Sequence, residues 1–255
     1  MRNIIIVAAF LLSALMSLRC SHKNMSYTLC DTDKYGSTIR IKQDGKKEIF
    51  LIFTADSMFE GGTFALDILK ENECKASFFF TGNFLRDSLR NGYIVNRVLS
   101  EGHYLGPHGD KHILLADWDD QRRPLATPDS AVADMRACIE RIPASIAGTL
   151  YVVPSFEWCG SEHTKAFREA GMTPLGLTPG FLTYRDYTTP DMMQYASSDS
   201  IWNNFIERLN SEDISGSIVL IHLGTSDLRT DKFYDYLPRM IDSLRLHGYN
   251  VNRLP

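Results

Sequence analysis

The chain has 255 residues, of which 44% are hydrophobic and 23% charged, and its formal net charge is −4. This composition is that of a globular protein long enough to bury one sizeable core, which predicts a single folded domain. A slightly acidic chain offers no basic field, so we expect neither nucleic acid nor an anionic membrane surface as a partner.

The first 19 residues have the pattern of an export signal. Arg2 carries a positive charge, and residues 4–18 form an apolar run that is short for a bilayer span. Cys20 follows directly, and a polar stretch comes next. We therefore predict a signal peptide over residues 1–19 and export to the periplasm or cell surface, with lipidation at Cys20 as in bacterial lipoproteins. Arg19 is unusual before such a cleavage site, so a plain secretory peptide cut nearby is the alternative.

The remaining cysteines are too far apart for a C-x-x-C zinc or redox site. In an oxidising compartment some of them could pair, but the spacing does not identify a pair. Buried free thiols are the simpler expectation. These cysteines are Cys30, Cys74, Cys138 and Cys159.

Residues 20–47 are predicted to form an N-terminal leader and an edge strand. Beyond them, short apolar runs alternate with segments of helical periodicity. The predicted strands are residues 47–54, 75–80, 103–106, 150–153, 173–177, 217–222 and 249–253. The predicted helices are residues 61–71, 85–100, 129–142, 162–170, 200–209 and 233–246. Thr127 and Pro128 are a favourable N-cap and first-turn pair for the third of these helices.

This alternation predicts an α/β fold with a parallel sheet covered by helices, either open or closed into a barrel. Polar residues follow four of the strands: Asp56, His108 with His112, Glu157, and His222. Because sites in parallel α/β folds form at the carboxyl ends of the strands, we expect these four segments to meet on one face.

His108 and His112 are four residues apart and would share one face if the turn between them were helical. Together with Asp56 they make a ligand set that suits zinc, with cobalt or nickel as alternatives. Two histidines and one carboxylate also leave a coordination position open for water. The alternative is a pair of surface histidines in a loop.

From residue 48 to the C-terminus, these motifs and their order resemble the NodB-like polysaccharide deacetylases, carbohydrate esterase family 4. In the segment 53–57 (FTADS), Asp56 matches the metal-binding aspartate of that family. Ala55 stands where the family has the aspartate that acts as general base. The segment 76–85 (ASFFFTGNFL) is typical of the family.

Later motifs extend the resemblance. His108 and His112 match the two metal-binding histidines, with Gly109 replacing a hydroxyl residue between them. In the segment 153–157 (VPSFE), Phe156 matches the aromatic residue whose backbone N–H helps bind the oxyanion. The usual arginine of this motif is replaced by Val153, or by Val152 if the alignment shifts by one residue, and the usual glycine by Glu157. His222, in the sequence Leu-Ile-His, matches the histidine that protonates the leaving group, and Asp186-Tyr187 only echoes the motif that ends in Asp-Trp.

The resemblance implies a distorted (β/α) barrel over residues 48–255 and metal-dependent deacetylation of an acetylated polysaccharide or oligosaccharide, at nitrogen or oxygen. It assigns the metal to Asp56, His108 and His112 and the acid role to His222. Since an alanine cannot accept the proton of the attacking water, a replacement base is needed. Glu157 is the first candidate for it.

Asp110 and Glu60 are the other candidate bases. Trp158 and Tyr187 are predicted to line a sugar-binding groove, and Arg229, Asp231 and Lys232 to form either its polar edge or a solvated loop. Two other functions remain open at this stage. One is a catalytically weak or inactive surface protein that binds metal and carbohydrate. The other is a metalloenzyme of the same fold that hydrolyses a non-carbohydrate C–N bond.

Overall fold

The computed structural model describes residues 28–143, 146 and 148–255. The predicted signal peptide (1–19) and Cys20 lie outside these residues. Within the described part of the chain, no helix is long and apolar enough to cross a membrane.

Strands and helices alternate along the chain much as the sequence predicts. The strands are β1 Thr28–Thr32, β2 Thr38–Gln43, β3 Glu48–Ala55, β4 Ser77–Phe80, β5 Tyr104–Pro107, β6 Tyr151–Val152, β7 Thr173–Pro174, β8 Ile218–His222 and β9 Asn250–Asn252. The helices are α1 Gly62–Glu71, α2 Gly82–Arg86, α3 Ser88–Ser100, α4 Pro128–Ile139, α5 Ser161–Glu169, α6 Ser198–Ser211 and α7 Leu237–Leu246. Single 3-10 turns cover Ser155–Glu157, Thr183–Tyr187 and Phe233–Tyr236.

Capping side chains explain where two helices begin. Thr127 accepts a hydrogen bond from the backbone N–H of Ser130 at 3.2 Å, which confirms the predicted N-cap of α4. The predicted helix 85–100 is instead two helices. Asp87 leaves the helical conformation (ψ 70°), and its side chain accepts from the N–H of Arg90 at 3.1 Å to start α3.

The central sheet is parallel and ordered β5-β4-β3-β8, with β9 paired to the first residues of β3. Beyond β5, the N–H of Val153 donates to the carbonyl of Pro107 at 3.2 Å and joins the β6-β7 pair to the sheet. On the other side, the N–H of Thr178 donates to the carbonyl of Ile218 at 3.1 Å. These contacts close the strands into an irregular ring, which confirms the predicted α/β class and distorted (β/α) barrel.

Alternation along β3 divides the core into two layers. Phe50 and Ile52 point into the barrel, whereas Leu51 and Phe53 pack beneath the helices. Every residue of β3 is buried, as expected for a central parallel strand. Phe79 fills the barrel beside β5. A Cβ on the facing Gly106 would lie only 2.6 Å from the Phe79 ring, so the glycine leaves the room that this ring occupies.

The hairpin of β1 and β2 lies within the segment predicted as leader and edge strand. Thr38 bridges to Leu175 and Arg40 to Ser217, so β2 runs alongside the barrel wall. Ile41 is completely buried in the interior layer. The segment before residue 48 therefore contributes to the same core as the barrel.

The described cysteines carry free thiols. Cys74, Cys138 and Cys159 are buried, in line with the sequence expectation. Cys30 differs because it lies on the outer strand β1, where its side chain is exposed.

Phe79→Ala tests the interior layer. Removing a fully buried aromatic ring leaves a cavity, so the free energy of unfolding should fall by about 3–5 kcal/mol. Leu89→Ala is the control: this side chain is fully exposed on α3, and the change should stay within about 0.5 kcal/mol. Urea unfolding followed by circular dichroism measures both, and equal losses would contradict the layer assignment.

Candidate active site

Strand register brings the predicted site residues to one end of the barrel. The last residues of β3, β4 and β5 lie opposite one another, and Thr54 lies opposite His222 at the end of β8. Asp56 follows β3 and His108 follows β5 without an intervening residue. The structure thus places these side chains around the same opening.

Asp56 is held by two polar neighbours from the β4 end. Its Oδ1 accepts from the hydroxyl of Thr81 at 2.7 Å and from the side-chain amide of Asn83 at 3.1 Å. Thr81 also caps α2 by accepting from the N–H of Phe84 at 3.1 Å. The carboxylate is therefore oriented by groups that are themselves fixed.

His108 is buried as the tautomer with the proton on Nδ1. Its Nδ1 lies 3.0 Å from the carbonyl oxygen of Val153, and a carbonyl can only accept, so Nδ1 carries the proton. Burial and then the charge of His112 lower the pKa of His108 well below its usual value. The neutral ring therefore presents the Nε2 lone pair to the opening.

The loop between the two histidines is not helical, so they do not share a helix face. Gly109 and His112 both have positive φ, 84° and 52°. The carboxylate of Asp134 on α4 fixes the loop, because it accepts from the backbone N–H of Asp110 at 2.8 Å and from that of Lys111 at 3.1 Å. The loop still brings the rings of His108 and His112 to a centroid distance of 5.0 Å. Burial lowers the pKa of His112, against the opposing charge of Asp56.

The 3-10 turn after β6 carries two further predicted residues, Phe156 and Glu157. Phe156 and Glu157 have φ of 59° and 52°, a region that costs non-glycine residues free energy. The ring of Phe156 stacks on His112 at 4.3 Å. Glu157 Oε1 lies 3.4 Å from His108 Nε2, and this oxygen is buried without a hydrogen-bond partner among the described residues.

Glu157 and His108 do not form an ordinary ion pair. Burial raises the pKa of Glu157 to about 7, although the charge of His222 acts in the opposite direction. Because His108 presents a lone pair, the two facing atoms are both acceptors unless a proton or a cation lies between them. This arrangement fits a site that binds a cation or transfers a proton.

His222 is paired with a buried carboxylate that the sequence only hinted at. Its Nδ1 lies 2.5 Å from Asp186 Oδ1, and its backbone N–H donates to Asp186 Oδ2 at 2.8 Å. Burial lowers the pKa of His222, but the charge and hydrogen bond of Asp186, followed by Glu157, outweigh it and raise the pKa to about 9. The imidazolium is therefore the main form at neutral pH, and Tyr187 contacts its ring edge at 5.6 Å.

Other acidic residues near the opening have structural partners. Asp110 forms ion pairs with Arg86 and Arg141, and its carboxylate is almost completely buried. Glu60 Oε1 accepts from the N–H of Thr225 and from Lys232, both at 3.0 Å. Both oxygens of Asp110 are thus bound by arginines. In Glu60, one of the two carboxylate oxygens is bound in this way.

The loop after His222 differs from the prediction of a polar groove edge. Arg229 is completely buried, because its guanidinium donates to the carbonyls of Thr188 at 2.7 Å and Ala196 at 3.0 Å. It also donates to the carbonyl of Asp231 at 3.1 Å. Arg229 thus joins two loops beside the opening and does not face solvent.

The aromatic residues around the opening also differ in part from the prediction. Tyr187 is 43% exposed beside His222, as a groove residue should be. Trp158 has its ring covered by Arg122 at 3.4 Å and lies 5.4 Å from Trp118, which is itself 62% exposed. Sequence reasoning missed Trp118, whose signal was a single large aromatic residue within the polar stretch 117–126.

The residue types at the opening are ones that bind first-row divalent metals. Their side chains do not, however, lie close enough together to form a ligand cluster. The neutral His108, the orphaned oxygen of Glu157 and the oriented Asp56 are the donor types that such a metal takes. Among the residues that the structure describes, no three His, Cys, Asp or Glu side chains form a group that could hold a metal ion. The assignment of the metal to Asp56, His108 and His112 therefore stays a prediction.

Asp186→Asn tests the pairing with His222. Loss of the carboxylate charge should lower the pKa of His222 from about 9, measured by NMR titration of the histidine ring protons in metal-free protein. A raised folded-state pKa contributes stability that is complete below the unfolded value of about 6.5 and is lost as the pH rises through the folded value. The substitution should therefore destabilise the protein more at about pH 6 than at about pH 10.

Asp199→Asn is the control, since this residue bonds Tyr236 at the surface and should leave the titration of His222 unchanged. An unchanged His222 titration in Asp186→Asn would contradict the pairing.

Comparison with known proteins agrees with the fold and with the predicted family. The sequence profile of the polysaccharide deacetylase family matches residues 42–174. A peptidoglycan-N-acetylglucosamine deacetylase of Bacillus cereus is 26% identical over 184 residues, which cover 72% of this chain and 75% of that protein.

Two solved structures share the fold. The family 4 carbohydrate esterase PdaA of Bacillus subtilis superposes with a TM-score of 0.63 at 20% identity, covering 86% of this chain and 83% of that one. A carbohydrate esterase family 4 pseudoenzyme from Bacillus anthracis superposes with a TM-score of 0.60 at 19% identity, covering 82% of this chain and 64% of that one. The profile match spans more than half of the chain, and the chain therefore belongs to the polysaccharide deacetylase family.

Proposed function

We propose that the protein is an exported, metal-dependent deacetylase that hydrolyses N- or O-acetyl groups on a polysaccharide or oligosaccharide. The observation that carries the proposal is the pair of His222 and Asp186. A histidine held protonated at neutral pH, at the same opening as His108 and Asp56, is a proton donor placed for acyl transfer.

Asp56, His108 and His112 would hold the metal, with zinc as the first choice and cobalt or nickel as alternatives. A bound divalent cation supplies Lewis acidity to the acetyl carbonyl and activates water for attack. Two features of the chain support this assignment. His108 is fixed in the correct tautomer by Val153, and Asp56 is oriented by Thr81.

The chain's own groups then act on the acetyl group. The backbone N–H of Phe156 donates to the carbonyl oxygen as negative charge develops there. His222 donates its proton to the departing nitrogen or oxygen of the sugar. Asp186 holds this imidazolium in position and compensates its charge.

Glu157 is the proposed base that replaces the aspartate missing at Ala55. Its carboxyl group is buried, Oε1 has no hydrogen-bond partner among the described residues, and burial raises its pKa to about 7. Such a value suits a group that accepts a proton at neutral pH. The left-handed backbone at Glu157 is consistent with a side chain placed for function at some cost in stability.

A second function, binding of metal and glycan with little or no catalysis, is favoured by Ala55. This methyl group is buried in the apolar layer beneath the helices, where the family has a carboxylate. The likeness to a solved pseudoenzyme concerns the fold alone, so only activity separates the two functions.

Family membership and the N-terminal pattern support a proposal for the substrate and the location. We propose that the substrate is an acetylated glycan outside the cytoplasm. The signal peptide would export the protein to it, and lipidation of Cys20 would hold the protein at the membrane surface. Because the B. cereus relative is a peptidoglycan-N-acetylglucosamine deacetylase, oligomers of N-acetylglucosamine are the first substrates to test, with acetylated xylan as the second.

Asp56→Ala tests the metal-dependent reaction. The metal-loaded protein should release acetate from chitooligosaccharides or acetylated xylan, and the substitution should abolish this release because it removes a ligand. Enzymatic assay of acetate, with zinc, cobalt and nickel tried in turn, measures the outcome. Equal release by the variant would refute the role of Asp56, and no release by either protein, with metal bound stoichiometrically, would favour the binding function.

Glu157→Gln tests the replacement base. Loss of a positioned base should lower kcat by about 10²–10⁴-fold while metal still binds. Glu60→Gln is the matched control, since Thr225 and Lys232 bind one oxygen of that carboxylate, and its kcat should remain near that of the parent protein. A Glu157→Gln variant as active as the control would assign the base elsewhere.

A further inference from the structure

The exposed rings of Trp118 and Phe156 adjoin the candidate active site, and we call these two rings the aromatic platform. Their exposed fractions are 62% and 40%, and they meet edge to face at 5.9 Å. The other side of Phe156 stacks on His112 at 4.3 Å. The platform is therefore continuous with a proposed metal ligand and extends outward from it over the surface.

Resting on the proposed deacetylase function, we propose that the aromatic platform is a glycan subsite. It binds, by stacking on Trp118, a sugar unit next to the one that carries the reacting acetyl group. No sequence motif of the resemblance includes Trp118. The ligand is an uncharged pyranose of the polymer, whose C–H face is apolar and whose hydroxyl groups point outward at the rim.

The first argument is that Trp118 is held rigidly although it faces solvent. Its ring leans on Trp158 at 5.4 Å. Trp158 in turn donates from Nε1 to the carbonyl of Asp117 at 2.9 Å, one residue before Trp118. The guanidinium of Arg122 lies between two rings, 3.4 Å from Trp158 and 3.8 Å from Tyr35.

The loop that carries Trp118 is closed upon itself. Ala116 bridges to Pro124, and the N–H of Asp117 donates to the carbonyl of Arg123 at 2.9 Å. Arg122 donates to the carbonyl of Cys159 at 3.0 Å and so ties the loop to the turn that carries Phe156. An exposed ring on such a braced loop loses little conformational entropy on binding.

The second argument concerns which partner such a surface suits. Large exposed rings cost free energy in water unless something covers them, and stacking of a sugar face buries apolar area on both sides. The two rings are nearly perpendicular, at 86°, so a sugar would stack on Trp118 while Phe156 connects this ring to His112. A polymer substrate must extend past the reacting unit, so a contact of this kind is expected in a polysaccharide deacetylase.

The test is the binding of chitohexaose and xylohexaose to metal-free protein, measured by isothermal titration calorimetry, so that binding is separated from hydrolysis. Trp118→Ala should weaken the binding of at least one of these probes by about tenfold, since an aromatic anchor is lost. Trp118→Phe should retain most of the affinity because it keeps a ring. Leu125→Ala, an equally exposed apolar side chain on the same segment, should bind like the parent protein.

Each outcome decides the proposal. Unchanged affinity in Trp118→Ala, or no binding of either probe by the folded parent protein, overturns the subsite, whether or not acetate is released. If Trp118→Ala loses affinity while the parent protein releases no acetate, the subsite stands and the deacetylase function fails. Equal losses in Trp118→Ala and Leu125→Ala would show a general effect on the segment and would also overturn it.

Discussion

The position of β3 at the centre of the parallel sheet is the constraint on which the rest of the structure depends. All eight of its residues are buried, and it pairs with β4, β8 and β9. Its register with β4 and β8 sets the level at which Asp56 and His222 leave the strands. Since side chains alternate with a period of two, a slip by one residue would turn Phe50 and Ile52 out of the barrel.

The acidic residues around the opening divide into those that hold the structure and one that stays available. Asp134 fixes the loop of the two histidines, Asp110 pairs with two arginines, and Asp186 anchors His222. Each of these carboxylates is satisfied by partners within the chain. Among the acidic residues discussed here, Glu157 has a buried oxygen without a partner in the described part of the chain, which is the reason for proposing it as the base.

A series of ring contacts connects the site to the surrounding surface, in addition to the carboxylate contacts. His112 stacks on Phe156, Phe156 meets Trp118, and Trp158 supports Trp118 from the side. The positive φ of His112 and Phe156 places these rings on one another at a cost that the surrounding contacts offset. Proton transfer and sugar binding would thus share one connected wall of the opening.

The sequence by itself determined the α/β alternation, the residues that follow the strands and, through its motifs, the family. These features are local, because periodicity and spacing depend on neighbours in the chain. Only the tertiary structure decided the partner of His222, the burial of Arg229 and the exposure of Trp118. Asp186 and His222 are 36 residues apart, and the contact between them exists only because the Thr183–Tyr187 turn packs against the end of β8. Such contacts arise from packing between distant segments, which no local pattern encodes.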